Sequence, residues 1–366
     1  MTITTRGLVR LETPFEMRHG GLLDEVEIAW ESWGELNAAR DNVVLIVTGL
    51  SPGPHAASSA QDPSPGWWEE MIGPDGPIDT RRFHVVCVNS LGSCHGSTGP
   101  ASIDPRTGQR YRLTFPVLTV EDIAKAAREA LRQRGIQRLR AVVGPSLGGM
   151  TALAYAILYP DEVQHLVTIS SAVRATPFAI AIRSLQREAI RCDPAWLKGD
   201  YDPAHPPLTG LRLARKLGLI TYRSAREWRE RFGRERVDVR DPDAGLFGVE
   251  FEIESYLENH ARKFVGVFDA NCYLYLSRAM DQFDVAEHGG TVEAGLHHVR
   301  AEQTLVIGVE TDFLFPIDQQ AEIAHVLQRQ GRRVRFEPLA SIQGHDSFLV
   351  DMDRFCPVMA DFFAGI

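Results

Sequence analysis

A serine in this chain lies in a residue pattern that is typical of a nucleophile. Gly144-Pro145-Ser146-Leu147-Gly148 has the form G-x-S-x-G and stands between the apolar run AVV and the helical run MTALAYAI. A strand-to-helix turn of this form holds the serine in a strained conformation and presents its hydroxyl at a helix N-terminus. The alternative is a glycine-rich turn with an ordinary serine, and the strand and helix on either side favour the nucleophile.

A serine hydroxyl is a weak nucleophile, so another part of the chain must supply a base. Asp312, in TDFLFP, follows the apolar run TLVIGV, and His345, in GHD, follows VRFEPL. The order serine, acid, histidine is that of the α/β-hydrolase triad. We therefore predict that Ser146 attacks the substrate, that His345 removes and later returns a proton, and that Asp312 orients the imidazole.

An acyl-transfer site also needs two N–H donors for the oxyanion. The first predicted donor is the backbone N–H of Leu147, directly after the nucleophile. The second is the backbone N–H of Leu50, in the loop TGLSP that follows the apolar run VVLIV. The alternative for this loop is a surface turn built from glycine and proline.

The elements that must position these residues alternate between strands and helices. Three short apolar runs indicate buried strands: VVLIV (43–47), HVVCV (84–88) and LRAVV (139–143). HLVTIS (165–170), TLVIGV (304–309) and VRFEPL (334–339) are further strand candidates. Residues 120–134 and 151–158 have helical spacing instead. This alternation, with the motif above, predicts an α/β-hydrolase fold with a mostly parallel central sheet and helices on both faces.

The middle of the chain has a different pattern. Helical spacing recurs at 179–190, 210–218, 225–233 and 251–265, no apolar run of comparable strength separates these segments, and residues 240–247 form a polar loop. We predict a helical lid insertion at 176–298. The α/β-hydrolase core then consists of residues 1–175 and 299–366.

Composition narrows the classes of function. The formal net charge is −9, which argues against a nucleic-acid or anionic-membrane partner, although a local basic patch can still receive an anionic ligand. The five cysteines are an odd number without a CxxC pair, which fits free thiols in a reducing compartment. We expect a cytoplasmic protein without a signal peptide, a membrane span or a bound metal.

Several longer motifs resemble the homoserine O-acetyltransferase family. They are GPSLGGM (144–150), NSLGSCHGSTGPASIDPRTGQRY (89–111), GLRLARKLGLITYRS (210–224), ESYLENHARKFVGVFDANCYLYL (254–276), TDFLFP (311–316) and GHDSFL (344–349). The resemblance implies a helical lid, an acyl-CoA co-substrate, a homodimer and the triad named above. It also implies that Arg215 holds the carboxylate of an amino-acid acceptor and Asp346 its amine. The alternatives are a solvated helix charge for Arg215 and a loop cap for Asp346.

Two departures from the homoserine enzymes bear on specificity. Gly49-Leu50-Ser51-Pro52 stands where those enzymes usually carry Ala-Leu-[Ser/Thr]-Gly, and this form resembles the serine O-acyltransferase branch of the family. We expect the loop to select the acceptor, with the rigid Pro52 narrowing the acceptor pocket.

The second departure concerns the acyl donor. Succinyl-type homoserine enzymes often have an arginine just after the TD motif, and this chain has Leu314 in that neighbourhood. Arg183, in IRSLQR, is therefore the candidate partner for a donor carboxylate and the residue expected to set acyl-CoA specificity. The alternative is a charge on the lid surface.

These observations predict ping-pong transfer of a succinyl or acetyl group from acyl-CoA to the hydroxyl of L-serine, a step of cysteine biosynthesis. One alternative is acylation of L-homoserine in methionine biosynthesis. A plain esterase with the same triad is a second alternative, and a non-catalytic protein with this fold is a third. The sequence leaves the choice between acetyl and succinyl donors open.

Overall fold

The computed structural model describes residues 5–238 and 242–366, and an eight-stranded sheet runs through them. Its strands are β1 (Thr5–Arg10), β2 (Glu27–Trp33), β3 (Val43–Val47), β4 (His84–Val88), β5 (Leu139–Pro145), β6 (Val163–Ile169), β7 (Gln303–Val309) and β8 (Val334–Leu339). Their spatial order is β1-β2-β4-β3-β5-β6-β7-β8. The pairs β1–β2 and β2–β4 are antiparallel, and every pair from β4 to β8 is parallel. The predicted α/β class is confirmed.

Helices connect and cover these strands. In chain order they are α1 (Val120–Gln133), α2 (Leu147–Leu158), α3 (Pro177–Arg191), α4 (Leu208–Tyr222), α5 (Ala225–Phe232), α6 (Glu252–Val265), α7 (Ala270–Gln282), α8 (Val292–His297), α9 (Ile317–Arg329), α10 (Ser347–Val350) and α11 (Met352–Ala364). Helix α1 begins at a capping box in which Thr119 and Asp122 exchange side-chain and backbone hydrogen bonds.

All six predicted strands are confirmed, and β1 and β2 are the strands of the eight-stranded sheet that the sequence patterns did not indicate. Strand β1 is exposed along most of its length, so it carries no apolar run. Strand β2 is largely buried, but its apolar residues are interrupted by Glu31 and Ser32. One carboxylate oxygen of Glu31 pairs with the imidazole of His55 at 2.9 Å, which offsets part of the cost of burying the charge.

The central strands are buried on both faces, which explains their unbroken apolar runs. Along β3 the side chains alternate between two cores. Val43 and Val47 belong to the core that contains residues of α1 and α2, whereas Val44 and Ile46 belong to the core that contains residues of α11. The sheet is therefore covered by helices on both sides.

The segment between β6 and β7 is helical, as predicted. Helices α3, α4, α5 and α6 coincide with the four helical patterns, and no strand of the sheet lies between residues 170 and 302 in the described part of the chain. Helix α8 packs on α9, so the end of the segment adjoins the core. The division into a lid at 176–298 and a core of 1–175 and 299–366 stays a prediction.

The predicted polar loop at 240–247 falls partly on residues 239–241, which lie outside the described residues. Its remainder, Pro242–Phe247, forms a 3-10 helix. Within the described residues, no helix has the length and apolar character needed to span a membrane.

Candidate active site

Ser146, Asp312 and His345 follow the carboxyl ends of β5, β7 and β8, and the structure brings their side chains together. His345 Nε2 lies 2.8 Å from Ser146 Oγ, and His345 Nδ1 lies 2.7 Å from Asp312 Oδ2. All three residues are buried. An ionised carboxylate only accepts hydrogen bonds, so Nδ1 carries the proton and Nε2 is free to accept the one from Ser146. This geometry can activate a serine hydroxyl for attack on an acyl carbon.

The backbone at Ser146 has the strained conformation expected of a nucleophile turn. Its φ and ψ are 57° and −122°, a region that residues other than glycine rarely occupy. The flanking glycines permit the tight packing of the turn. A Cβ on Gly148 would lie 2.2 Å from the carbonyl oxygen of Val47, and one on Gly144 would lie 2.0 Å from the carbonyl oxygen of Gly148. A larger residue at either position would therefore displace the serine.

The acid and the histidine are held rigidly. The second carboxylate oxygen of Asp312 accepts hydrogen bonds from the backbone N–H groups of Leu314 at 3.0 Å and Phe315 at 2.9 Å. The Phe315 ring stacks on the imidazole of His345 with a centroid distance of 5.0 Å, and the Tyr222 ring lies at 5.9 Å. These contacts fix the orientation of the imidazole and keep bulk water away from it.

The loop predicted to supply the second oxyanion donor follows β3. Leu50 lines the same cavity as Ser146, and Leu147 is the first residue of α2, where backbone N–H groups have no partner inside the helix. Side chains hold the loop through its carbonyl groups. His95 contacts the carbonyl oxygen of Ser51 at 3.1 Å, and Asn89 donates to that of Pro52 at 3.3 Å.

The other residues of this loop lie next to Leu50 rather than in the cavity lining. A Cβ placed on Gly49 would be 3.9 Å from Pro52 Cδ and 3.8 Å from the carbonyl oxygen of Pro145, which are ordinary contacts. Gly49, Ser51 and Pro52 adjoin Leu50, which lines the cavity. Selection of the acceptor by this loop, with Pro52 narrowing the pocket, stays a prediction.

Arg183 lies in the wall of the Ser146 cavity. Its side chain is 5% exposed, so it is not a charge on the lid surface. Arg183 Nε donates to Asp281 Oδ1 at 2.5 Å, and Arg187 pairs with Asp281 Oδ2 at 2.7 Å. Two arginines share one carboxylate, which leaves one positive charge in excess. The terminal nitrogens of Arg183, Nη1 and Nη2, are buried without a hydrogen-bond partner.

Buried guanidinium nitrogens without partners are costly, because burial removes their hydration. A carboxylate in the cavity would satisfy both nitrogens as a fork and neutralise the excess charge. The cavity has a volume of about 30 Å³, and Leu314 also lines it. Side chains around it must move apart to admit an acyl group.

Arg215 lies on α4, near the triad. Its guanidinium carbon is 5.6 Å from the centre of the Tyr222 ring and 4.5 Å from that of Phe264. Its Nε is buried and has no hydrogen-bond partner. Arg215 is therefore only partly solvated, and it presents a cation beside the aromatic residues that border His345.

Asp346 is adjacent to His345, and its carboxylate does not cap the helix that follows. Burial raises the pKa of Asp346, and the guanidinium of Arg223, whose Nε lies 3.4 Å from Oδ2, opposes this rise. Arg223 in turn donates to the side chain of Gln343 at 2.8 Å. Arg215 also opposes the rise in the pKa of Asp346, so the site presents a cation and a carboxylate that interact with each other.

Sequence reasoning missed several residues of this site. Asp281 pairs with Arg183 and also with Arg187, and Arg223 pairs with Asp346. Tyr222 lies against His345. Asp281 is far from Arg183 in sequence, and no motif indicates their pairing. Tyr222 and Arg223 lie inside the motif GLRLARKLGLITYRS, which could have indicated them. Among the described residues, no group of three His, Cys, Asp or Glu side chains is arranged to hold a metal ion.

Comparison with known proteins agrees with the fold. A family model described as alpha/beta hydrolase fold matches residues 42–348. A serine O-succinyltransferase of Litchfieldella anticariensis is 57% identical over 360 residues, covering 98% of both chains. The chain belongs to the α/β-hydrolase-fold family of O-acyltransferases. An L-serine/homoserine O-acetyltransferase of Streptomyces lavendulae is 56% identical over 360 residues. The match covers 97% of this O-acyltransferase and 96% of the relative.

Solved structures are similar over almost the whole of this O-acyltransferase. The crystal structure of a homoserine O-acetyltransferase from Bacillus anthracis superposes with a TM-score of 0.89 at 29% identity, covering 99% of this chain and 97% of that one. The structure of esterase E22 has the same TM-score at 30% identity, covering 98% and 100%. Because this fold occurs in both a homoserine O-acetyltransferase and an esterase, the fold alone does not determine the acceptor.

Proposed function

We propose that this O-acyltransferase moves a succinyl group from succinyl-CoA to the side-chain hydroxyl of L-serine by a ping-pong mechanism. The observation that carries the proposal is the pair of unsatisfied, buried guanidinium nitrogens of Arg183 in the cavity that Ser146 also lines. The relative named serine O-succinyltransferase, 57% identical over nearly the full chain, supports the same donor and acceptor.

In the first half-reaction Ser146 Oγ attacks the thioester carbon while His345 takes the serine proton. The N–H groups of Leu50 and Leu147 stabilise the oxyanion. The carbon–sulfur bond then breaks, the proton passes from His345 to the sulfur, and CoA leaves a succinyl ester on Ser146. In the second half-reaction His345 deprotonates the hydroxyl of L-serine, which attacks the acyl carbon of that ester. The bond to Ser146 Oγ then breaks, His345 returns the proton to Oγ, and O-succinylserine leaves.

The two ends of the site have separate roles. The free carboxylate of the succinyl group lies against Arg183, which it neutralises. The α-carboxylate of the acceptor binds Arg215 and its ammonium group binds Asp346, so charge complementarity selects an amino acid over water. Gly49, Leu50, Ser51 and Pro52 favour serine over the longer homoserine, because the position of Leu50 sets the distance between Ser146 and the clamped acceptor.

A second candidate is acetyl transfer to serine or homoserine, which the relative named L-serine/homoserine O-acetyltransferase favours. In either case acyl-CoA is a co-substrate rather than a bound cofactor, and the acylated amino acid serves amino-acid biosynthesis. O-Acylation converts the hydroxyl into a good leaving group, which a sulfur nucleophile can replace on the way to cysteine. A cytoplasmic location and a homodimer remain predictions.

The test crosses two donors, succinyl-CoA and acetyl-CoA, with two acceptors, L-serine and L-homoserine, and compares the four values of kcat/KM for CoA release. Succinyl-CoA with serine should give the highest value. A higher kcat/KM with acetyl-CoA would overturn the proposed donor. A higher kcat/KM with homoserine would overturn the proposed acceptor. CoA release that does not depend on any amino acid would indicate an esterase.

A further inference from the structure

The path of the donor from Ser146 to the protein surface can be inferred from the direction of the reaction, an inference that rests on the proposed function. In ping-pong transfer His345 Nε2 gives a proton to the CoA sulfur and later takes one from the serine hydroxyl. The sulfur therefore leaves the acyl carbon on the same side at which the hydroxyl arrives. The acyl chain points the other way, toward Arg183. The CoA arm must therefore run outward along the acceptor route, past Tyr222 and Arg215.

A continuous face of α6 borders this route. Phe264, which contacts Arg215, is followed one helical turn away by His260 and another turn away by Tyr256. The rings of Tyr256 and His260 lie 4.3 Å apart, and the guanidinium carbon of Arg231 lies 4.7 Å from the Tyr256 ring. Outward from Arg215, this face of α6 therefore carries aromatic rings in contact with one another and then basic side chains.

The outer part of this face is positively charged in a chain whose net charge is −9. Partial desolvation and the field of nearby cations lower the pKa of His260. These cations are Lys263, Arg215, Arg223 and Arg231. Among the described residues Asp346 pairs with Arg223 and Glu227 with Arg231, so the four cations keep an excess of positive charge. The side chain of Arg231 is 48% exposed, and His260 and Lys263 are also exposed.

We propose that Arg223, Arg231, His260 and Lys263, here termed the α6 basic face, bind the phosphate groups of coenzyme A while its thioester lies at Ser146. Phosphate oxygens accept the forked hydrogen bonds of arginine and the point charge of lysine. Both acyl donors carry the same phosphates, so this face contributes to affinity for any acyl-CoA and not to the choice between donors.

The test compares a double variant, Arg231→Gln with Lys263→Gln, against a matched control, Arg226→Gln with Arg229→Gln. Both remove two positive charges from exposed positions, and Arg226 lies on the same helix as Arg231, where it pairs with Glu230. Each protein is assayed with acyl-CoA and with the corresponding acyl-pantetheine, which lacks all the phosphates.

We expect the double variant to lose about tenfold in kcat/KM for acyl-CoA, the scale of two partly exposed charge contacts. The KM for serine and the kcat/KM for acyl-pantetheine should stay at the wild-type values, and the control should match the wild type throughout. Added salt should depress the wild-type value for acyl-CoA more steeply than that of the double variant.

Equal losses with acyl-CoA and acyl-pantetheine would overturn the proposal, because they would show a structural effect. An equal loss in the control would also overturn the proposal, since removal of any two charges would then have the same effect. An unchanged kcat/KM for acyl-CoA in the double variant would overturn it as well. Failure of the proposed function is distinguishable. A protein that prefers acetyl-CoA still tests the α6 basic face, and one that releases no CoA from either donor refutes the function itself.

Discussion

Removing the Arg183 guanidinium should convert a succinyl-preferring enzyme into one that no longer discriminates against acetyl donors. In Arg183→Met the side chain keeps much of its length but loses its charge and both unsatisfied nitrogens. Asp281 keeps Arg187 as its ion-pair partner at 2.7 Å, so the substitution does not leave a buried carboxylate alone.

The magnitude follows from the charged hydrogen bond between Arg183 and the succinyl carboxylate. A hydrogen bond to a charged group is worth about 1.5–3 kcal/mol. In Arg183→Met the succinyl carboxylate loses this hydrogen bond. The lost free energy corresponds to a fall of roughly 10- to 160-fold in kcat/KM for succinyl-CoA. Acetyl-CoA has no carboxylate, so its kcat/KM should change little. Arg183→Lys keeps the charge without the fork and should fall between the wild type and Arg183→Met.

The assay measures CoA release with L-serine at saturation and each donor varied. The matched control is Arg187→Gln, which removes the other arginine from Asp281 and leaves Arg183 paired at 2.5 Å. The control should keep the wild-type ratio of succinyl-CoA to acetyl-CoA. Arg183 is a structural residue, and the reasoning is wrong, if Arg183→Met lowers kcat/KM equally for both donors. The same conclusion follows if Arg187→Gln shifts the donor ratio by the same factor as Arg183→Met.

Three further predictions concern the triad and the acceptor. Asp312→Asn should keep the geometry but favour the wrong imidazole tautomer, lowering kcat by roughly 10⁴-fold; a loss below tenfold would contradict the orienting role. Arg215→Ala should raise the KM for serine while the first burst of CoA in stopped flow stays nearly normal, and loss of the burst would instead indicate a role in donor binding. Gly49→Ala with Pro52→Gly should shift kcat/KM toward homoserine by roughly 10- to 200-fold, and an unchanged serine-to-homoserine ratio would remove this loop as the selector.

The catalytic framework could be predicted from local sequence because each part of it follows a strand. Ser146, Asp312 and His345 lie in the segments that follow β5, β7 and β8, and the carboxyl ends of neighbouring parallel strands meet at one edge of the sheet. The buried strands were recognisable because both of their faces are covered. Strand β1 could not be recognised because an exposed edge strand needs no apolar run. Strand β2 could not be recognised because Glu31 breaks its apolar pattern, and the ion-pair partner of Glu31, His55, lies in another part of the chain.

The environment of each charged residue could not be predicted in the same way. Arg183 was recognisable as a candidate, but its burial and its partner Asp281 depend on the packing of α3 against α7. The position of Pro52 beside Leu50 likewise depends on Asn89, which holds its carbonyl oxygen. These contacts join residues far apart in sequence, and no local periodicity encodes them.

The proposed mechanism depends most directly on a covalent intermediate at Ser146. The decisive measurement is mass spectrometry of peptides from enzyme incubated with succinyl-CoA in the absence of an acceptor and quenched in acid. We predict one succinyl group on the peptide that contains Ser146, its disappearance when L-serine is added before the quench, and no modification in Ser146→Ala. A succinyl group trapped on a different residue, or CoA release at the wild-type rate from Ser146→Ala, would contradict the mechanism.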